Sequence, residues 1–286
     1  MSGQAKLISL ISGIGFSGVG PLCLIARVND YQTRFGGVCR LFGTAGLERL
    51  RASHVAVVGI GGVGVWAVEA LARSGVGELT LIDLDDLCVT NINRQLHALD
   101  GTIGTAKVDA MAARARSINP NLRLNVIQQF FTSENAATLL ANGFDHLIDA
   151  IDNVENKCLL LAECRKRKIP ALTCGGAGGL RTGLGLMVSD LAHTSHDGLL
   201  RHVRKSLRKN HGFPTDPKTP FDITAVFSNA TPVYPWTDGS VCDTREAGSE
   251  LKLDCSSGFG TAAFVTGAMG LAAAEHVVSR IARSGD

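Results

Sequence analysis

No two of the eight cysteines are spaced as a C-x-x-C pair, and the formal net charge of the 286-residue chain is +2. A zinc site built from four paired cysteines is therefore excluded on spacing. We expect reduced, partly buried thiols and a cytoplasmic location. The small net charge excludes a surface-wide field that attracts polyanions, so any nucleic-acid site has to be a local patch.

The chain also lacks a long, strongly apolar run. Residues 7–26 are uncharged and follow Lys6, as in a signal peptide, but they contain four glycines and a proline and precede no small-residue cleavage pattern. We predict that residues 1–33 are a disordered extension, with export as the alternative. Residues 256–274 are uncharged but mostly Gly, Ala, Ser and Thr, which favours a closely packed helix over the alternative of membrane association.

Strand-like and helical segments alternate over residues 34–190. After a helical lead-in at 34–51, with Leu41, Phe42, Leu47 and Leu50 as its apolar residues, strands are predicted at 55–58, 79–83, 122–127, 146–150 and 171–173. Helices are predicted at 62–74, 107–119, 134–142 and 154–168. This alternation predicts an α/β protein with a Rossmann-like, doubly wound sheet. We assign residues 34–190 to that domain and residues 191–286 to a smaller C-terminal part, after a flexible glycine connection at 175–179.

A glycine turn joins the first predicted strand to the helix after it. Gly59, Gly61 and Gly64 fit G-x-G-x-x-G, and Gly62 opens the helix, whose N-terminus favours a phosphate group. Asp83 ends the second predicted strand, where an acid that binds ribose is expected. These residues predict a nucleotide site, but a nicotinamide oxidoreductase would share them.

Further charged and polar residues follow the second strand: Asp85, Asn91, Arg94, Lys107 and Asp152. A hydride-transfer enzyme does not need them, whereas an enzyme that adenylates a carboxylate with ATP does, because negative charge builds on the phosphates during the reaction. We expect Arg94 and Lys107 to neutralise that charge, Asp152 to hold Mg²⁺, and Asn91 to bond ribose or phosphate oxygens.

Several motifs together resemble the ThiF/MoeB/E1 adenylating superfamily. They are Arg-Phe-Gly-Gly (34–37), the glycine turn (59–64), Asp-Leu-Asp (83–85), Asn-Ile-Asn-Arg-Gln (91–95), Lys107, Ile-Asn-Pro (118–120) and Asp-Ala-Ile-Asp-Asn (149–153). The resemblance implies an E1-like fold, with Asp83 on ribose, Arg94 and Lys107 on the phosphates and Asp152 on Mg²⁺. It also implies a homodimer in which Arg34 or Arg40 reaches the ATP of the partner subunit.

Within the superfamily, the chain resembles the dehydratases that act on N6-threonylcarbamoyladenosine in tRNA. The supporting segments run from residue 34 to the C-terminus and include 89–99, 173–179, 189–192, 226–228, 233–235, 238–242 and 254–260. The resemblance implies that ATP adenylates the threonyl carboxylate beside the anticodon and that an intramolecular attack then closes a ring. It allows a structural monovalent cation and a partner from a cysteine desulfurase system. The alternatives are activation of a ubiquitin-like sulfur carrier and a non-catalytic scaffold.

A basic segment in the C-terminal part has helical spacing. It contains Arg201, Arg204, Lys205, Arg208 and Lys209. Spacings of three and four residues place most of these cations on one face, which suits backbone phosphates of RNA. The alternative is an ordinary solvated helix face.

Cys255 precedes a Gly/Ser turn that opens the last predicted helix. Such a position can lower the pKa of a thiol, and relatives in the superfamily use a cysteine to take over the acyl group. An intramolecular attack removes that need. We therefore favour a structural thiol, with covalent catalysis as the alternative.

Overall fold

Helices and strands alternate through a computed structural model that describes residues 30–141, 143–248 and 259–284. The helices are α1 (Asp30–Ala52), α2 (Gly64–Arg73), α3 (Lys107–Ile118), α4 (Ala136–Leu139), α5 (Val154–Arg167), α6 (Gly198–Asn210) and α7 (Ala263–Ala282). The strands are β1 (His54–Val58), β2 (Glu78–Ile82), β3 (Arg123–Ile127), β4 (His146–Asp149), β5 (Ala171–Cys174), β6 (Leu186–Asp190), β7 (Thr224–Ser228), β8 (Tyr234–Pro235) and β9 (Val241–Cys242).

Seven of these strands form one sheet in the order β3-β2-β1-β4-β5-β7-β6. All neighbours are parallel except β6, which runs antiparallel to β7 at the sheet edge. Strands β1, β4 and β5 are almost entirely buried because helices cover both faces of the sheet. The predicted α/β class and doubly wound sheet are confirmed, with one antiparallel edge strand added.

The sheet continues past the predicted boundary at residue 190. Strand β7 lies between β5 and β6, so part of the predicted C-terminal region completes the same sheet. The division of the chain at residue 190 stays a prediction, and an RNA-binding role for the C-terminal part is taken up below.

The small-residue segment near the C-terminus forms helix α7, which packs against α2. Gly270 lies directly against the backbone oxygen of Val63, and a side-chain carbon added there would lie 2.8 Å from Cβ of Trp66. The close approach of the two helices therefore requires a small residue at this position, as the sequence predicts. Among the described residues, no helix is long and apolar enough to span a membrane.

Three details of the predicted elements differ from the structure. Helix α1 begins at Asp30, so the last four residues of the predicted extension are helical, while residues 1–29 lie outside the described part. Leu41 was predicted to belong to the apolar face of this helix, but its side chain is 79% exposed, whereas Leu47 and Leu50 are buried. The helix predicted at 134–142 shortens to the four residues of α4 because Asn135 is its N-cap and Leu140 already leaves helical geometry.

Candidate active site

A crevice opens where the carboxyl ends of β1, β2, β4 and β5 meet. Strand order reverses between β1 and β4, and in open α/β sheets ligands bind at such a point. The cavity has a volume of about 470 Å³. Its β1–β2 wall is lined by Gly59, residues 61–63, Asp83, Asp85 and Lys107, and its β4–β5 wall is lined by residues 150–153 and 175–178.

The glycine turn after β1 brings three chain segments close together. Gly59 has φ +89°, and a side-chain carbon on it would lie 2.8 Å from the backbone oxygen of Ala150. A side chain at Gly64 would collide with the backbone oxygen of Gly59. Gly61 and Gly62 line the crevice directly. The turn therefore needs glycine for its geometry and leaves the start of α2 open to a bound anion.

Two acids and a lysine are joined in the β1–β2 wall. Asp83 accepts hydrogen bonds from the backbone N–H groups of Ile60 (2.6 Å) and Asp85 (2.9 Å). Burial raises the pKa of Asp83, and the positive charge of Lys107 opposes that rise. Lys107 is the first residue of α3, and its ammonium nitrogen lies 2.7 Å from Oδ2 of Asp85. An incoming phosphate could draw Lys107 from Asp85, because that carboxylate is half exposed.

Arg94 reaches the crevice from the segment after β2. Its guanidinium donates to the backbone oxygen of Thr90 (2.7 Å) and to the side-chain oxygen of Asn93 (3.1 Å). Its own backbone oxygen accepts from the indole of Trp66 (3.1 Å) and the hydroxyl of Thr266 (3.2 Å). Helices α2 and α7 thus fix the backbone from which this cation extends.

Asn91 also lines the crevice, although it is buried. Its side-chain oxygen accepts from the backbone N–H of Cys88 at 3.1 Å, which closes the short helical turn that leads to Arg94. Asn91 therefore shapes the loop in addition to lining the site.

Asp152 lies in the exposed part of the β4–β5 wall and lines the crevice. No hydrogen bond or ion pair joins its carboxylate to another of the described residues. An exposed carboxylate that lines the crevice and is unpaired within the described part of the chain suits Mg²⁺, which takes few carboxylates and several phosphate or water oxygens. The residue present at position 152 fits the predicted metal.

A buried ion pair lies directly behind Asp152. Lys157 and Asp149 are both fully buried, and their charged groups lie 2.9 Å apart. Lys157 also donates to the backbone oxygen of Ile151 (2.8 Å), and the hydroxyl of Thr173 donates to Asp149 (2.7 Å). Burial raises the pKa of Asp149, whereas Lys157 and the hydrogen bonds lower it. The backbone next to Asp152 is therefore held in place by the buried ion pair.

The glycine-rich segment at 175–179, which the sequence predicts as a flexible connection, forms part of the β4–β5 wall of the crevice. The buried carboxylate of Asp197 accepts from the backbone N–H of Gly176 (2.9 Å). The same carboxylate accepts from Leu200 N–H (2.8 Å) and caps the N-terminus of α6. The basic helix therefore begins at the edge of the crevice.

The predicted basic residues of α6 do come together in the structure. Arg201, Arg204, Lys205, Arg208 and Lys209 line one shallow surface cavity with Thr215. Arg201, Lys205 and Lys209 are exposed, whereas Arg204 contacts the hydroxyl of Thr194 and Arg208 donates to the backbone oxygen of Pro214 (3.1 Å). Two of the five cations thus already serve the fold.

Other predicted site residues lie elsewhere. Arg34 pairs with Asp30 (2.6 Å) and Arg40 is exposed, and within the described chain neither lines the crevice of its own subunit. Cys255 lies outside the described residues. No cluster of three or more metal-ligating side chains occurs within residues 30–141, 143–248 and 259–284. The role of either arginine in a partner's site stays a prediction.

Sequence reasoning missed several residues that build the site. Gln95 is buried and lines the crevice, and Trp66 and Thr266 hold the backbone of Arg94. Gln95 could have been found, because it belongs to the Asn-Ile-Asn-Arg-Gln motif. Trp66, Thr266 and Lys157 carry no local signal, since their roles depend on contacts between distant elements.

The fold and this crevice define the class of protein. The chain matches the ThiF family over residues 37–284 and belongs to that family. It is 46% identical over 261 residues to the tRNA threonylcarbamoyladenosine dehydratase of Haemophilus influenzae, covering 91% of this chain and 97% of the relative. The Escherichia coli dehydratase is 45% identical, with 88% and 94% covered.

A solved structure agrees with these sequence relatives. The Escherichia coli dehydratase TcdA in complex with ATP has a TM-score of 0.80 and 41% identity, covering 90% of this chain and 99% of that chain. Within the ThiF family, the chain therefore belongs to the tRNA threonylcarbamoyladenosine dehydratases, and ATP-dependent dehydration is its activity. The similarity spans both halves of the chain, which favours this activity over activation of a sulfur carrier protein.

Proposed function

We propose that the crevice adenylates the threonyl carboxylate of N6-threonylcarbamoyladenosine in tRNA and then allows the ring to close. The single observation that carries the proposal is the convergence in one crevice of a glycine turn at a helix N-terminus, two cations and the carboxylate of Asp152, which has no partner among the described residues. A carboxylate oxygen of the substrate attacks the α-phosphorus of ATP, and the bond to pyrophosphate breaks. An atom of the carbamoyl group then attacks the activated carbonyl carbon, and AMP leaves.

Each wall has a distinct part in this route. Asp83 binds the ribose, and the N-terminus of α2 together with Arg94 and Lys107 binds the phosphates. Asp152 would hold Mg²⁺, which when bound supplies further positive charge beside the phosphate oxygens. The protein thus contributes positioning and electrostatic stabilisation, since the nucleophile and the leaving group both belong to the substrates.

The activity is tested by mass analysis of nucleosides from tRNA that carries threonylcarbamoyladenosine. With ATP and Mg²⁺, the modified nucleoside should lose the mass of one water, and AMP should appear in equal amount. Asp152→Ala should lower the rate by about 10²–10³-fold, because it removes a charge that acts on the transition state. Its fold should be unchanged, since the side chain is exposed.

Asp100→Ala is the matched control, because Asp100 is an exposed acid that does not line the crevice. Its rate should equal that of the wild type. Water loss that proceeds without ATP would contradict the adenylation route. Full activity of Asp152→Ala would contradict the assignment of Asp152 alone.

The exposed face of α6 is proposed to bind the backbone of the tRNA. Its helix begins at the crevice through Asp197, and its cations line one surface cavity. Arg201→Gln combined with Lys205→Gln should weaken tRNA binding and reduce the slope of log K against log salt by about 1.4–1.8. Filter binding over a series of salt concentrations measures both quantities.

A control double variant on other helices distinguishes a local effect of α6 from a general effect of net charge. Arg116→Gln with Lys166→Gln removes the same charge from exposed positions on α3 and α5, and its salt slope should stay that of the wild type. Equal slopes for both double variants would place the RNA elsewhere. Arg204 and Arg208 are less suitable targets, because their substitution would also remove contacts within the protein.

A homodimer is proposed from an exposed apolar patch. Phe264 (64% exposed) and Leu271 (47%) lie two turns apart on one face of α7, and Leu184 (82%) follows Gly183, which lies against the backbone oxygen of Phe264. Such a patch suits burial against a second copy. Arg34 or Arg40 would then act in the partner's crevice. A monovalent cation and a partner from a cysteine desulfurase system stay predictions to which no described residue is assigned.

A further inference from the structure

Two aromatic rings and an arginine meet at one end of the crevice. The ring centres of Tyr234 and Phe259 lie 5.4 Å apart with the planes tilted by 59°. The guanidinium of Arg245 lies 5.3 Å from the centre of the Tyr234 ring and 5.6 Å from that of Phe259. Both rings are partly exposed and Arg245 is exposed. We call these three residues the aromatic cluster.

The aromatic cluster is joined to the β4–β5 wall. Phe259 lines the crevice, and a side-chain carbon added at Gly178 would lie 2.8 Å from its Cβ. Gly179 donates to the backbone oxygen of Gly260 (2.8 Å) and accepts from the backbone N–H of Val233 (2.9 Å). The neighbours of both rings are therefore hydrogen-bonded to the same glycine, which fixes the cluster against the crevice.

The hairpin that carries Tyr234 has its own anchor. The indole N–H of Trp236 donates to the backbone oxygen of Thr244 (3.0 Å). Both the backbone N–H and the hydroxyl of Thr237 donate to Glu246, at 2.9 Å and 2.7 Å. These bonds anchor the β8–β9 hairpin without using the side chains of Tyr234 and Arg245, of which the first is partly exposed and the second exposed.

Sheet order places the cluster at the end of the crevice away from Asp83. Asp83 follows β2, whereas the glycines beside Phe259 follow β5, and β1 and β4 lie between them. Three strand spacings separate the two positions, which is about 14 Å. A nucleotide with its ribose at Asp83 and its phosphates at the glycine turn therefore leaves the β5 end free.

The other substrate has to enter from that free end. Three atoms separate N6 of its adenine from the carbon of the carboxylate that attacks ATP, so the base lies only a few ångströms beyond the reacting atoms. An adenine inside the anticodon loop has to leave its stack to approach so closely, and unstacked bases are held on aromatic rings and arginine planes.

We propose that Tyr234, Phe259 and Arg245 form the subsite that receives the modified adenine base of the tRNA. The rings supply stacking surface, and Arg245 supplies a planar cation that stacks on a base and attracts the adjoining phosphate. This subsite rests on the proposed orientation of the two substrates in the crevice. It does not depend on α6, which is assigned to backbone phosphates.

The test uses an anticodon stem-loop RNA that carries threonylcarbamoyladenosine, with the full-length protein. Phe259→Leu and Tyr234→Leu keep apolar bulk but remove a ring, and each should weaken binding of this RNA about tenfold. Arg245→Gln should weaken it less. The KM for the RNA should rise while the Kd for ATP stays unchanged, because the nucleotide binds at the opposite end.

Tyr234→Phe is the conservative counterpart of Tyr234→Leu: it keeps the ring and should recover the binding that the leucine variant loses. A second control is the salt dependence: the leucine variants should keep the wild-type slope, unlike the α6 double variant. The proposal is overturned if both leucine variants bind the RNA like the wild type, or if they lose ATP binding to the same extent. Absence of dehydration by the wild-type protein would instead refute the proposed function.

Discussion

The two walls of the crevice use charge in opposite ways. In the β1–β2 wall, Lys107 reaches the cavity and pairs with Asp85, a half-exposed carboxylate that can release it. In the β4–β5 wall, Lys157 and Asp149 pair in the interior and are fully buried. The first pair is available to a ligand, whereas the second supports the chain from which Asp152 extends.

This difference indicates that one ion pair serves to bind a ligand and the other serves to position the chain. A cation that must bind phosphate benefits from a partner that water also solvates, since exchanging that partner costs little free energy. A buried pair cannot exchange its partner, because either charge alone would be strongly destabilised in the interior. The β1–β2 wall is therefore expected to govern nucleotide affinity, and the buried pair to govern stability and the geometry near Asp152.

Applying one substitution to each wall tests this difference most strongly. Lys157→Met should lower the free energy of unfolding by about 3–5 kcal/mol, because it leaves Asp149 buried without its cation. Lys107→Met should lower it by about 1 kcal/mol or less, since Asp85 can be solvated. Urea denaturation measures the first quantity, and the Kd for ATP should show the opposite ranking among variants that remain folded.

A double variant that also neutralises Asp149 provides the control. Lys157→Met combined with Asp149→Asn should recover much of the lost stability, because an amide at position 149 can still accept the hydrogen bond from Thr173. A Lys157→Met protein within 1 kcal/mol of the wild type would remove the distinction between the two walls. So would a Lys107→Met protein with the larger loss.

The same distinction explains how much of the site could be predicted. The sequence predicts Gly59, Asp83, Arg94 and Asp152 as site residues because ligand chemistry demands particular residue types beside particular strand ends, and all four line the crevice. Strands β1, β2, β4 and β5 were predicted because buried strands read as continuous apolar runs, whereas the parallel strand β7 was not predicted.

The remainder depends on tertiary contacts that no local pattern encodes. Lys157 is an ordinary helical residue in the sequence, and only the packing of α5 on the sheet buries it beside Asp149. Trp66 and Thr266 hold Arg94 from two helices that are far apart in sequence. Leu41 fits a helical apolar pattern yet is exposed, since helix α1 breaks at Phe35 and Gly43.

The smallest expected effect concerns a buried histidine behind the β1–β2 wall. Burial, with a smaller contribution from Lys107, lowers the pKa of His97 to about 4. Neither ring nitrogen has a hydrogen-bond partner among the described residues. In the unfolded chain this histidine binds a proton near pH 6.5, whereas in the folded chain it stays neutral down to about pH 4. Its contribution to the free energy of unfolding is therefore fully present above pH 6.5 and is lost as the pH falls towards 4.

His97→Leu should therefore reduce the acid sensitivity of the fold. Between pH 7 and pH 5 the free energy of unfolding of the wild type should fall by about 2 kcal/mol more than that of the variant. Urea denaturation at both pH values measures the difference. His193→Gln changes an exposed histidine and should lose as much stability as the wild type. Equal losses in the wild type and His97→Leu would mean that His97 is already solvated. Water would then reach the interior side of the β1–β2 wall as well as the crevice.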